Sequence, residues 1–366
     1  MSRVDGEFFA GFTTAAVDTG EARIHVRVRV RHGGRGPAVL LLHGFPETHL
    51  MWHRVAPALA RDCTVVAADL RGYGASHYSA SSTPATAAAH APYGKRAMAR
   101  DMVAVMRHLG FDQFAVAGHD RGGRVAYRLA LDHPDQVTRL AVLDVVPTAD
   151  SWHRADMRFA LGFWPWSLLA QPAPFPERVI GAAPALFVDH AFDSWSATPD
   201  AARAAVPDAV RAAYRAALAD PATVHAVCEE YRAAAPVDLV DDEADQAAGR
   251  RIRCPVPRAR EPRGRGRHVV RPARGVAGLG GRRPRARAQR RALPARGGAG
   301  GDHRRAACVP DVTAATVPAA TVPATAARTA TRVATAGSKP HRLTRSHARH
   351  RGPAKSGALP HGDGKA

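Results

Sequence analysis

The chain has 366 residues, enough for one large domain or two, and a formal net charge of +20. The charge is unevenly spread: residues 251–366 hold 27 Lys and Arg against 4 Asp and Glu, with no Phe, Tyr or Trp, whereas residues 1–250 hold 25 against 28. A segment of that length without aromatics and with few large aliphatics buries too little surface to offset its ordering entropy, so residues 257–366 are expected to form a basic, low-complexity, disordered tail. Cys63, Cys228, Cys254 and Cys308 show no paired spacing, which argues against a disulfide framework or a zinc site. No leader pattern and no long apolar run is present, so a soluble cytoplasmic protein without a membrane partner is expected.

In chain order, residues 22–30 alternate as an edge strand would, and Gly33-Gly34 marks a turn. Residues 38–42 are an apolar run ending in His43-Gly44-Phe45-Pro46, and residues 63–68 are another, ending in Asp69-Leu70-Arg71-Gly72-Tyr73-Gly74. Residues 93–109 carry apolar side chains at helical spacing. Residues 114–117 read as a buried strand, followed by Gly118-His119-Asp120-Arg121-Gly122 and a helical run over 125–131; residues 140–143 form the next strand and end in Asp144. Strands alternate with helices, and polar residues cluster at strand C-termini. That pattern predicts an α/β fold with a mostly parallel sheet, helices on both faces, and a site just beyond the strand ends. From about Trp152 to 235 the alternation stops and Ala, Trp and Phe dominate, which reads as a helical cap. The expected organisation is a core over 1–150, a cap over 151–245, the start of the next core strand over 246–256, and the tail over 257–366.

The stretch 114–124 carries the most chemistry. Small residues two before and two after a central side chain let the chain turn sharply from strand to helix, holding that side chain out at the strand end. Here the centre is Asp120, and a carboxylate so placed suits displacement at a saturated carbon through an alkyl-enzyme ester. The plainer reading is a surface Asp capping a helix. Arg121 and Arg124 supply planar, always-charged, bidentate partners for a carboxylate, and Arg124 lies one helical turn from Asp120; the plainer reading of both is a solvated helix face. His43 and His119 read as structural residues that hold the two loops.

These residues resemble the α/β-hydrolase fold and, within it, the haloacetate (fluoroacetate) dehalogenases. The likeness rests on His43-Gly44-Phe45-Pro46-Glu47-Thr48-His49, Met51-Trp52-His53-Arg54-Val55, Asp69 to Gly74, Gly118 to Arg124, Leu143-Asp144, Trp166-Ser167-Leu168-Leu169-Ala170-Gln171-Pro172 and Glu229-Glu230-Tyr231-Arg232. The resemblance spans about residues 5–256. It implies hydrolytic dehalogenation of a small 2-haloacid such as haloacetate, with Asp120 as nucleophile, Asp144 as the acid that orients a histidine base, Arg121 and Arg124 as carboxylate ligands, and Trp166 and Tyr231 as halide donors. The backbone N–H groups of Phe45 and Arg121 would form the oxyanion hole, and no metal or cofactor is implied. The plainer readings are a strand-end turn for Asp144 and cap core for Trp166 and Tyr231. Where the family has a halide-binding His, this chain has Pro165, which lacks any donor; a preference for chloro- or bromoacetate over fluoroacetate is expected. Epoxide hydrolysis is the alternative within the fold, with Tyr231 as the one obvious phenol donor. A basic protein binding polyanions without specificity is the alternative of another class. The expected partner is a halocarboxylate substrate, with no specific nucleic acid; a homodimer is left open.

In the resembled fold, two strands, two helices and the catalytic His would follow Val256. None is recognisable, and His268, His303, His341, His347 and His350 sit in Arg-, Gly-, Pro-, Ala- and Thr-rich sequence without strand context. Reading 291–310 one base on, with GC-rich synonymous codons, yields Gly-His-Phe-Leu-Pro-Glu-Glu, similar to the family's catalytic-His loop. The expectation is a reading-frame shift just after Val256, with residues from about 257 translated out of frame and full turnover of this chain lost. The gene's nucleotide sequence checks it: the shifted frame carries a His codon overlapping residues 291–293, and its absence refutes the shift.

Overall fold

The computed structural model describes residues 3–29, 36–78, 90–196, 198, 200 and 204–256. Seven strands form one sheet: β1 (Thr13–Asp18), β2 (Ala22–Arg29), β3 (Ala38–Leu42), β4 (Thr64–Ala68), β5 (His77–Tyr78), β6 (Phe114–His119) and β7 (Val137–Leu143). Their order is β1-β2-β4-β3-β6-β7, with β5 pairing β2. β3, β4, β6 and β7 run parallel, and β2 pairs antiparallel with β1, β4 and β5. β3, β4 and β6 are buried along their whole length, which explains why they read as continuous apolar runs rather than alternating ones.

After β3 the chain moves to β4 on one side; after β4 it crosses back to β6 on the other. The reversal leaves a crevice between the C-terminal ends of β3 and β6, where ligand sites of open parallel sheets lie. The β3–β6 register, Leu42 opposite Gly118, sets the two following loops side by side there.

The expected edge strand over 22–30 is in fact second from the edge, because β1 pairs outside it. β1 escaped detection since Thr13-Thr14-Ala15-Ala16-Val17-Asp18 is mostly exposed and buries only Val17, leaving no alternation to read. The helices of the core are α1 (Arg3–Phe8), α2 (Ala56–Leu59), α3 (Lys95–His108) and α4 (Asp120–Asp132). α3 and α4 pack on each other, and α4 lies against β6 and β7. α4 begins at Asp120 itself, five residues before its apolar run.

Between β7 and Ile252 the described chain is helical: α5 (Thr148–His153), α6 (Met157–Gly162), α7 (Trp164–Leu169), α8 (Phe175–Ala182), α9 (Pro184–Trp195), α10 (Asp208–Leu218), α11 (Pro221–Ala233) and α12 (Leu239–Ala247), with a π turn at Ala234–Asp238. The helical run starts at Thr148, three residues before the expected boundary. Beyond it Ile252 forms a bridge and the Pro255 carbonyl accepts the Leu140 N–H of β7, so residues 252–255 lie along the far side of β7. The tail, its disorder and the frame shift concern residues 257–366, which lie outside the described residues.

Ion pairs, those of Arg128 buried and that of Arg96 partly exposed, tie this helical segment to α3 and α4. Arg128 is buried and bonds Asp242 at 2.7 Å and also Asp245; Arg96 reaches Asp241 at 2.6 Å, and Tyr127 donates to Asp242 at 2.8 Å. Removing one member of a buried pair strands the other's charge, at about 3–5 kcal/mol. Arg128→Ala is therefore expected to lower unfolding stability by that order in urea titration, whereas Arg100→Ala, on an exposed pair with Glu21, should change it by less than about 1 kcal/mol.

Candidate active site

Asp120 stands at the end of β6 with φ +45°, a left-handed conformation that a residue with a side chain rarely adopts. Its neighbours must be small. A Cβ on Gly118 would lie 2.3 Å from the Gly122 carbonyl oxygen, and one on Gly122 would lie 2.4 Å from that of His43. The Gly122 N–H donates to the same His43 oxygen at 2.9 Å. A Cβ on Gly44 would meet the Asp120 Cβ at 2.8 Å. The loops after β3 and β6 thus touch backbone to backbone, and Phe45 N–H donates to Asp120 Oδ2 at 3.2 Å.

His43 and His119 hold these loops together, as expected. His43 Nε2 accepts the Leu70 N–H at 3.0 Å while Nδ1 meets the Gly44 carbonyl at 2.8 Å; burial lowers its pKa, so it stays neutral. His119 Nδ1 lies 3.2 Å from Glu47 Oε2, and the same oxygen accepts the Gly44 N–H at 3.2 Å. Burial alone would lower the pKa of His119, but the hydrogen bond and charge of Glu47, with Asp120 and Asp144 beyond, raise it to about 9. At neutral pH the buried ring is therefore charged, in contact with Glu47.

Asp144 follows β7 and is the other non-glycine residue of positive φ among the described residues, at +50°. Its side chain reaches solvent although protein surrounds it on most sides. Desolvation is the largest influence on it and raises its pKa to about 6; His119 pulls downward, Asp120 upward. Among the described histidines, His119 is the one whose charge Asp144 senses, and that ring is committed to Glu47. A catalytic base from the tail lies outside the described residues.

The two arginines differ from a solvated helix face. Arg121 is fully buried; Nε donates to both Glu230 oxygens at 2.7 and 2.8 Å. Its pKa is raised, Glu230's charge outweighing burial. Arg124 is buried and meets only neutral oxygens: Val146 carbonyl at 2.5 Å, Thr148 Oγ1 at 3.4 Å and Ser151 Oγ at 3.5 Å. Burial and then Arg121's charge lower its pKa. Arg121 Nη1 and Arg124 Nε are buried with no hydrogen-bond partner.

Aromatic rings cover this pair. Tyr231 lies over the Arg121 guanidinium at 4.0 Å, and Trp166 lies 5.1 Å from Arg121 and 4.4 Å from Arg124. The Tyr231 and Trp166 centroids are 6.3 Å apart, and Tyr231 is 5.5 Å from Phe45. Asp120, Arg121, Arg124, Phe45, Trp166 and Tyr231, named from sequence, therefore belong to one continuous cluster, with Asp144 at the next strand end. Sequence reasoning missed Glu230, Glu47 and the Arg124 acceptors Thr148 and Ser151. Glu230 left one signal: a carboxylate beside an aromatic in the run Glu229-Glu230-Tyr231-Arg232.

One group among the described residues, His25, His49 and Asp69, brings three ligand atoms within 4.8 Å of one another. Both rings already bond Asp69, at 3.0 and 2.8 Å, and Asp69 also accepts the His49 and Ala75 N–H groups. Its lone pairs are committed, and the cluster is a hydrogen-bonded brace. Cys228 and Cys254 are free thiols. No helix of the described residues is long and apolar enough to cross a membrane.

A mixed, mostly parallel sheet with a strained elbow at its switch point is the architecture of an α/β hydrolase, and the model of the alpha/beta hydrolase fold family matches residues 37–251: the chain belongs to that family. Within it, the chain is 47% identical to fluoroacetate dehalogenase from Burkholderia sp. over 247 residues, 68% of this chain and 77% of the relative, which places it in the haloacetate dehalogenase branch. Soluble epoxide hydrolase from Corynebacterium sp. (strain C12) is 44% identical over 114 residues, 31% of this chain and 36% of the relative. A solved structure from Pseudomonas aeruginosa, described as a candidate epoxide hydrolase, superposes with a TM-score of 0.63 at 45% identity, covering 74% of this chain and 86% of that one. An α/β hydrolase from Nostoc sp. PCC 7120 gives 0.62 at 45%, covering 68% and 80%.

The His119–Glu47 pair makes stability pH-dependent. The folded pKa lies above the ordinary histidine value of about 6.5, so the contribution is complete below that value and is lost as pH rises toward 9. Urea unfolding of the wild type against His119→Gln at pH 6 and pH 10 should show the wild-type advantage shrink at the higher pH; a constant difference contradicts it.

Proposed function

We propose that the chain displaces halide from a small 2-halocarboxylate by attack of Asp120. The observation that carries this reading is the pair of buried, partnerless N–H groups on Arg121 and Arg124. A buried unsatisfied donor costs about 1–3 kcal/mol, more when charged, and a substrate carboxylate would satisfy both. The 47% identity to a fluoroacetate dehalogenase supports the same substrate class.

Held by both arginines, the substrate presents its halogen-bearing carbon in line with Asp120. An Asp120 oxygen forms a bond to that carbon as the carbon–halogen bond breaks; the halide leaves with the bonding pair toward Trp166 Nε1–H and Tyr231 O–H, and an aspartyl ester remains. Phe45 N–H already donates to a carboxylate oxygen of Asp120, and with Arg121 N–H it would stabilise the oxyanion formed when water attacks the ester. Asp144 would orient the histidine base for that water. No histidine among the described residues stands in that role, so the expected course is the first half-reaction without the second. Residues 151–245 act as the cap, and the protein works in the cytoplasm without metal or cofactor.

Epoxide hydrolysis is the second reading, favoured by the relatives and solved structures so described. It needs phenols to protonate the epoxide oxygen. Tyr73 and Tyr231 both feel the charge of Asp120; Tyr73 O–H is bonded to Glu230, and Tyr231 is the candidate donor.

Incubation with chloroacetate is expected to release about one chloride per chain and leave an ester on the peptide bearing Asp120, read by ion chromatography and mass spectrometry. Asp120→Asn should release none. Sustained turnover by this chain would refute the missing base, and epoxide opening without halide release would favour the second reading. Pro165→His should raise release from fluoroacetate more than from chloroacetate; equal effects would sink the role of that position.

A further inference from the structure

Two buried guanidiniums one helical turn apart repel each other, and a flexible arginine so placed would turn whichever edge it could toward the nearest acceptor. Arg121 has no such freedom. We propose that Glu230 is the positioning residue of the carboxylate site: it grips one edge of the Arg121 guanidinium so that the opposite edge faces the substrate. This rests on the reading of Arg121 as a carboxylate ligand.

The grip is specific to one edge. Arg121 Nε donates to Glu230 Oε1 and Oε2 at 2.7 and 2.8 Å; Nη2 lies 2.5 Å from Oε1 and donates to the Glu230 backbone carbonyl at 3.3 Å. A guanidinium is a rigid planar fork, so bonding its Nε–Nη2 edge to side chain and backbone of one residue sets both its plane and its rotation. The remaining nitrogen, Nη1, is the buried atom without a partner. Tyr231, the next residue on α11, covers the face of the same guanidinium.

Glu230 is itself held. Its carboxylate takes bonds from Lys95 Nζ and, at 3.2 Å, from Tyr73 O–H; Lys95 also reaches Asp238 through its ammonium at 3.3 Å and its backbone N–H at 2.7 Å. Burial would raise the Glu230 pKa, but Arg121 and Lys95 bring it down to about 2, so it stays ionised at any working pH. Arg121, Lys95 and Tyr73 belong to the core, while Glu230 and Tyr231 belong to the helical cap. One carboxylate therefore fixes the orientation of the substrate-binding arginine and the distance between elbow and cap.

A counter-ion that merely neutralised Arg121 would behave in the opposite way, since it would compete with the substrate. Glu230→Gln keeps the size and an oxygen acceptor but removes the charge-assisted grip. Using the full chain, calorimetric titration with acetate is expected to show about tenfold weaker binding in Glu230→Gln, as loss of a charged hydrogen bond implies. Ester formation at Asp120 from chloroacetate should slow similarly, while ester formation from uncharged chloroacetamide stays within about twofold of wild type. Acetate binding that is unchanged or tighter overturns the proposal, as does an equal loss with chloroacetate and chloroacetamide. If circular dichroism shows that Glu230→Gln does not fold, Tyr73→Phe carries the test: weaker acetate binding supports the grip and unchanged binding overturns it. A wild type that binds acetate but releases no halide defeats the dehalogenation reading alone. A wild type that releases halide, with Glu230→Gln its equal, defeats this inference alone.

Discussion

The tightest constraint in the molecule is the contact between the loops that follow β3 and β6. Their glycines leave no room for a Cβ, and only because of this does the chain pass from strand to helix at Asp120 with a left-handed backbone. The strain at Asp120 is balanced by the hydrogen bond from Gly122 to His43 and by Glu47, which joins Gly44 to His119. Everything else in the site is referred to this point: α4 starts there, so Arg121 and Arg124 are carried on its first turn, and Phe45 is delivered by the facing loop.

Charge ties the helical segment after β7 to the core. The first turn of α4 brings two arginines into a water-poor space, where like charges cannot be left alone. Glu230 answers Arg121 from α11, and Asp242 and Asp245 answer Arg128 from α12. Arg124 receives only neutral oxygens. Arg124 is thereby left without an anion in hydrogen-bond contact, close to the left-handed Asp120. In the proposed reaction, substrate recognition and attachment of the helical segment would be two uses of the same electrostatic arrangement.

In the proposed reaction the half-reactions would separate along the chain. The groups assigned to ester formation, Asp120, Arg121, Arg124, Trp166 and Tyr231, all lie among the described residues before Val256. The base that would complete hydrolysis belongs, in the family resembled, to a part of the sheet after it. Asp144 stands at its strand end with a pKa raised to about 6 by desolvation, and the histidine whose charge it senses among the described residues, His119, is bonded to Glu47.

The amino-acid sequence alone determined the alternating architecture, because strands buried on both faces must be continuous apolar runs and helices on a sheet must repeat their apolar residues at helical spacing. It also determined the elbow, since Gly118-x-Asp120-x-Gly122 has few other uses after such a strand, and through it the family. β1 stayed hidden because an edge strand with one buried side chain carries no pattern. The tertiary structure alone decided that Arg121 is gripped on one edge by a residue 109 positions away, that Arg124 is left without an anion, and that Asp144 shares the left-handed backbone of Asp120. The reason is physical: propensity and periodicity are written locally, but which buried charge meets which is set by how cap and core pack, and that pairing leaves no trace in the spacing of either segment.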